Sequence, residues 1–128
     1  MVREREAPEA SAADVPLMHL EPGERFWKFL ILTQPSDRTG QRVEHRILSK
    51  EHADGTLEMV TYNAWHAGAH TEKRDILRVP SLSKGLYEQI VARIRAESKL
   101  PAEAVREIDL SVYGSVEDQV RALASLQF

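Results

Sequence analysis

The chain contains no cysteine. That single absence excludes a disulfide scaffold, a zinc ribbon, an iron–sulfur site and a thiol nucleophile. Glycine and proline are also sparse, at six each in 128 residues, which rules out a collagen-like or low-complexity chain. The glycines, at positions 23, 40, 55, 68, 85 and 114, are scattered and build no phosphate-cradling loop. The longest apolar run is Phe29–Leu32, far short of the ~18 residues that span a bilayer. The first ten residues hold no apolar stretch of the kind a secretory signal needs. The expectation is a cytoplasmic protein with no membrane partner.

What is present has the makeup of one globular domain, with 42% hydrophobic and 29% charged residues. The net charge of -3 hides a partition. Residues 1–24 carry two arginines against six acids, residues 25–99 carry 13 cations against 9 acids, and residues 100–128 carry two arginines against five acids. A mildly basic middle is therefore flanked by acidic ends. Residues 1–22 are rich in Ala, Glu and Pro and show no sustained apolar period, which predicts a flexible acidic N-terminal tail before a single domain over 23–128. Within the tail, the cluster from Val15 to Leu20 is expected to dock on that domain.

The middle reads as strands. Arg25–Thr33 is dense in aromatic and branched residues and apolar on both faces at its centre. Ser36–Gly40 is a turn cluster, followed by a second strand over Gln41–Lys50. A third strand spans Thr56–Trp65, and Asp54-Gly55 between the two is a strong hairpin signal. Read as a two-residue turn, it puts Ile47 opposite Tyr62 and His45 opposite Ala64, with Val43, His45, Ile47, Val60 and Tyr62 on one face. After the small-residue connection His66–His70, Glu72–Val79 reads as a fourth strand and Pro80 as its stop. Ser81 is the expected cap of a helix over Leu82–Ser98, whose Leu82, Leu86, Ile90 and Ile94 form an apolar stripe. A helical turn is expected from Pro101 to Glu107. Glu107–Tyr113 alternates as a fifth strand with Ile108, Leu110 and Val112 inward, and Ser115 caps a last helix. The order β-β-β-β-α-β-α predicts an α+β fold: an antiparallel sheet of four to five strands, packed by two C-terminal helices and covered on one face.

No motif names a reaction, and no catalytic residue or cofactor is assigned. His45, His66 and His70 are the candidates for a metal site or a small histidine-dependent enzyme, with Glu72 or Asp75 as a carboxylate ligand. The His66-x3-His70 spacing suits a metal only on a helix, and Gly68 between them marks a loop. Ser81-Leu-Ser-Lys84 matches the Ser-x-x-Lys pattern of penicillin-recognising enzymes, but the other motifs of those much longer enzymes are missing and capping accounts for Ser81. The acids Glu103, Glu107, Asp109, Glu117 and Asp118 read as solvated faces and a helix first turn.

The broadest feature is a basic row. Arg42, Arg46 and Lys50 fall on one face of the second strand, Lys73, Arg74 and Arg78 lie on the fourth, and Trp65 lies nearby. This is the pattern of a nucleic-acid-binding sheet, with phosphates on the cations and bases on the aromatic. An excess of four charges over 75 residues is small, and Glu44, Glu58 and Asp75 interleave with the cations. The leading expectation is a non-catalytic binding or accessory module with a protein partner, including self-association through an edge strand. Nucleic acid is the alternative partner.

Overall fold

The computed structural model describes residues 14–15, 17–34 and 41–126. The turn expected at Ser36–Gly40 and the first thirteen residues of the expected tail lie outside them. The strands are β1 (Asp14–Val15), β2 (Met18–His19), β3 (Arg25–Thr33), β4 (Arg42–Glu51), β5 (Leu57–Ala67), β6 (His70–Leu82) and β7 (Val105–Asp109). The helices are α1 (Lys84–Ser98) and α2 (Val116–Ser125). Strands β1 and β2 form a small hairpin, and the other five form one antiparallel sheet in the order β6-β5-β4-β3-β7. This is the α+β class.

Strand β3 sits inside the sheet because it is apolar on both sides. Phe29 and Ile31 point to one face, with Leu48, Val60 and Tyr62, against Leu123 of α2. Leu30 and Leu32 point to the other, with Ile47 and Met59, against Tyr87 and Val91 of α1. The helices therefore cover opposite faces, here named the Phe29 face and the Leu30 face. The expectation of a sheet covered on one side is corrected, since a strand apolar on both sides needs cover on both. Helix α1 carries the chain from one edge strand to the other. Its 15 residues are ~22 Å long, enough to cross the four inter-strand spacings, ~19 Å, between β6 and β7.

The β4–β5 hairpin corrects the expected register. The His52 N–H donates to Thr56 O at 2.7 Å and the Gly55 N–H donates to His52 O at 2.9 Å, so the turn has three residues. Gly55 ends it with φ +91, a conformation that other residues rarely adopt. The Asp54 side chain accepts from the Thr56 N–H at 2.9 Å, which stiffens the turn. Ile47 therefore lies opposite Thr61, His45 opposite Asn63 and Arg46 opposite Tyr62. One residue of slip turned the expected faces of β5 over.

Other boundaries move for local reasons. The cap of α1 is Ser83, whose Oγ accepts from the Leu86 N–H at 3.0 Å, while Ser81 and Leu82 stay in β6. Leu86 is exposed, off the buried stripe of Tyr87 and Val91. The helical turn after Pro101 is one short 3₁₀ turn, Ala102–Ala104, and Val105 already begins β7. Strand β7 stops at Asp109, whose carboxylate accepts from the Ser111 N–H at 3.0 Å and starts a second 3₁₀ turn over Leu110–Val112. Val112 is consequently turned outward and exposed.

A bulge in β3 between Phe26 and Phe29 leaves main-chain groups without strand partners. Two side chains supply them. Ser49 Oγ lies 3.2 Å from both the Lys28 N and the Lys28 O. The fully buried Gln119 of α2 accepts from the Phe26 N–H at 3.1 Å and donates to Phe26 O at 3.0 Å and Leu110 O at 2.7 Å. At the other end of the described chain, Met18 and Leu20 are buried in the Phe29-face core, so the apolar cluster docks on its own domain.

Candidate binding surfaces

The register distributes the basic row over both faces. Arg42, Arg46 and Lys50 share the Phe29 face, and Lys73 and Arg78 join it opposite Ala64 and Val60. Arg74 and Trp65 lie on the Leu30 face, where the Arg74 guanidinium stacks 4.8 Å from the Trp65 ring centroid. Most of these cations are engaged internally. Arg46, 4% exposed, donates to Glu44 at 2.6 and 3.0 Å. Lys50, 5% exposed, donates to Glu24 at 2.6 Å and to His19 O at 2.5 Å. Arg78 pairs with Glu58 and donates to Leu17 O at 2.7 Å, and Arg74 pairs with Glu72. Arg42 is exposed and makes no ion pair with a described residue.

Glu24, Lys50, His52, Glu58 and Arg78 form a clamp that fastens the segment 17–24 to β4, β5 and β6. Burial alone would push the Glu24 carboxyl up. Hydrogen bonds from Lys50, the Glu21 N–H and His52 outweigh it and hold the carboxyl down at about 2. His52 is pushed above its ordinary value by its hydrogen bond to Glu24, at 2.6 Å, and by Pro80 O, at 2.8 Å. Farther along the same face, burial would raise Glu44, but hydrogen bonds from His66 and Arg46 win and lower it. Burial beside them pushes the Tyr62 hydroxyl up to about 12. A cation at 5% exposure with a carboxylate already on it is a structural tie, with no open approach for a phosphate.

The histidines do not converge. His45 lies on the Leu30 face, 3.0 Å from Gln34, and His66 lies on the Phe29 face, 3.0 Å from Glu44. His70 is exposed at the start of β6, 3.8 Å from Glu72. Among the described residues no group of three ligating side chains is placed to hold a metal. Lys84 of the Ser-x-x-Lys match pairs with Glu51 at 2.7 Å and sits 4.5 Å over Trp27. Three of the C-terminal acids hold separate partners: Glu107 pairs with Lys28, Asp109 accepts from the Ser111 N–H and Asp118 pairs with Arg121.

The open surfaces are the two edges of the sheet. The outer edge of β6 exposes Ile76 and Leu77 but carries Lys73, Arg74, Arg78, Pro80 and a bulge at Asp75. The outer edge of β7 has no further strand among the described residues. Between it and α2 lies a groove of about 400 Å³ with apolar walls from Ile108, Tyr113, Ala122 and Leu126. Its charged lining residues are Arg106 and Arg121, with no acid. Arg106 is exposed and makes no ion pair with a described residue, while Arg121 holds Asp118 at 2.7 Å. Val112, 72% exposed, stands next to Tyr113. Neither the groove nor the clamp stood out in the sequence, because each joins residues from distant elements.

No helix among the described residues is long and apolar enough to cross a membrane. The chain matches no known protein family, no curated protein and no solved structure.

Proposed function

We propose that the chain is a non-catalytic protein-binding module that takes an extended, acidic segment of a partner along the outer edge of β7. The groove beside that edge is the observation that carries the reading. An unpaired strand edge offers main-chain donors and acceptors, and an adjacent apolar groove offers a seat for alternate side chains. Arg106 and Arg121 give the seat one sign of charge, which favours carboxylates. A protein partner is preferred to nucleic acid because Arg46, Lys50, Arg74 and Arg78 already hold carboxylates.

The test uses a labelled synthetic peptide of alternating Leu and Glu, its Leu and Lys counterpart, and a single-stranded oligonucleotide. Binding is followed by fluorescence polarisation and by amide shifts in the full chain. The acidic peptide is expected to bind with shifts at 105–109 and 119–126, and Arg106→Glu with Arg121→Glu should abolish it. Equal binding of both peptides, or shifts confined to β6, would overturn the assignment. Salt-dependent oligonucleotide binding lost on Arg42→Glu would replace it with the nucleic-acid reading.

A further inference from the structure

We infer a second, separate site: a cleft on the Leu30 face built to hold a small aliphatic amine. Where the last turns of α1 meet β4, β5 and β6, the packing opens into a cleft of about 470 Å³. That is the size range of small-molecule sites. Leu32, Ile47 and Ile94 give it an apolar floor. The site lies on the opposite face from the β7 groove and does not depend on the reading of that groove.

The acidic groups of the lining are Asp75 and Glu97, set beside the polar side chains of Gln34, His45, Asn63 and Ser98. Strand β6 carries one extra residue between its pairings with Thr61 and Asn63, and Asp75 within it has φ +55. A left-handed conformation is uncommon for a residue other than glycine, and bulges of this kind re-aim side chains. Here the Asp75 carboxylate turns back over the sheet, 3.4 Å from the Asn63 amide nitrogen. Glu97 lines the cleft from the last turn of α1, whose end also carries Arg95 and Lys99. Arg46 lines the cleft only through its strand, because its guanidinium lies on the Phe29 face with Glu44.

The nearby cations do not reverse this balance. Arg93 pairs with Glu97 at 2.9 Å from the outer side of the helix, with both side chains largely exposed. Arg74 is stacked on Trp65 and paired with Glu72. His45 is turned to Gln34. An anion entering the cleft meets the Asp75 carboxylate and a Glu97 carboxylate that already holds Arg93. An ammonium meets acceptors, while its alkyl chain covers Leu32, Ile47 and Ile94. Charge and floor together therefore select an amine with a short aliphatic body.

Three probes of matched length separate the contributions: n-hexylamine, 1-hexanol and hexanoate, each titrated into the isotopically labelled full chain. Hexylamine is expected to give saturable amide shifts at Asn63, Asp75 and Ile94. Hexanol is expected to bind about tenfold more weakly and hexanoate not at all. Asp75→Asn should bring hexylamine down toward hexanol and leave hexanol unchanged. Glu97→Gln, at a largely exposed helix position, should weaken hexylamine in the same sense. Equal response to the three probes, no saturation by hexylamine, or unchanged amine binding in both variants would overturn the inference.

Discussion

The two edges of the sheet differ in a way that length alone would misjudge. Strand β6 has 13 residues and β7 has five, so β6 looks the better template for an incoming strand. Yet β6 is guarded by the devices that keep natural edges from pairing: a bulge, a proline and three cations. It is also held from within by the clamp, through Arg78 to Leu17 O and His52 to Pro80 O. Strand β7 has no bulge and no proline, carries one cation, Arg106, and lies beside an apolar groove. What decides an edge's use is what stands next to it, and the bulge, Pro80 and the cations guard β6 despite its exposed Ile76 and Leu77.

The difference can be broken from the β6 side. Lys50→Met leaves the buried Glu24 carboxylate with His52 alone of its two side-chain donors and is expected to cost about 3 kcal/mol in a denaturant titration. The double variant with Glu24→Gln should recover much of that loss. If Lys50→Met is neutral, the clamp is not what holds β6. Acid does the same work more gradually. Glu24 is held near 2 in the fold, below its ordinary 4.5, so its contribution is complete above pH 4.5. It fades as pH falls toward 2, a loss of about 3 kcal/mol across that window. His52 has the opposite sign: raised from 6.5, it contributes fully below that value and loses its share as pH rises through its folded value. Stability curves against pH should fall on both sides, and Lys50→Met should flatten the acid limb.

The β7 side is tested at Gln119. Replacing it by Leu strands the Phe26 and Leu110 groups and is expected to cost about 2 kcal/mol, read by thermal unfolding. It should also loosen peptide binding at the groove while leaving the Arg78 and His52 contacts intact. The smallest effect is expected at the helix that joins the edges. Ser83→Ala removes the cap of α1 at a cost of about 1 kcal/mol, and hydrogen exchange should show protection falling in α1 before either edge strand.

Much of the fold was legible because periodicity carries it. Strand β3 was read with its observed ends since aromatic and branched residues fill both faces from Phe26 to Leu32. The β4–β5 register was not, because a strong Asp-Gly signal fits two turn lengths that differ by one residue. The end of β7 was missed for a similar reason. Ile108, Leu110 and Val112 alternate as a strand would, and only the Asp109 carboxylate bending back to Ser111 breaks the alternation. The basic row was visible, but the burial of Arg46 and Lys50 was not. Glu24 stands just past the expected tail of 1–22, and its meeting with Lys50 depends on how the segment 17–24 folds over β4. The β7 groove joins Ile108 to Ala122 and Leu126, residues that look like ordinary core positions until the elements are packed.

Gln119 gives the molecule a built-in reporter. Its amide contacts both the N–H and the carbonyl of Phe26, so the helix completes the strand's own wiring. The Phe26 amide proton is thereby shielded by a side chain on α2, 93 positions away. It exchanges with solvent only when that helix lets go. Exchange of the Phe26 amide proton is therefore expected to report whether the C-terminal helix is seated on the start of β3.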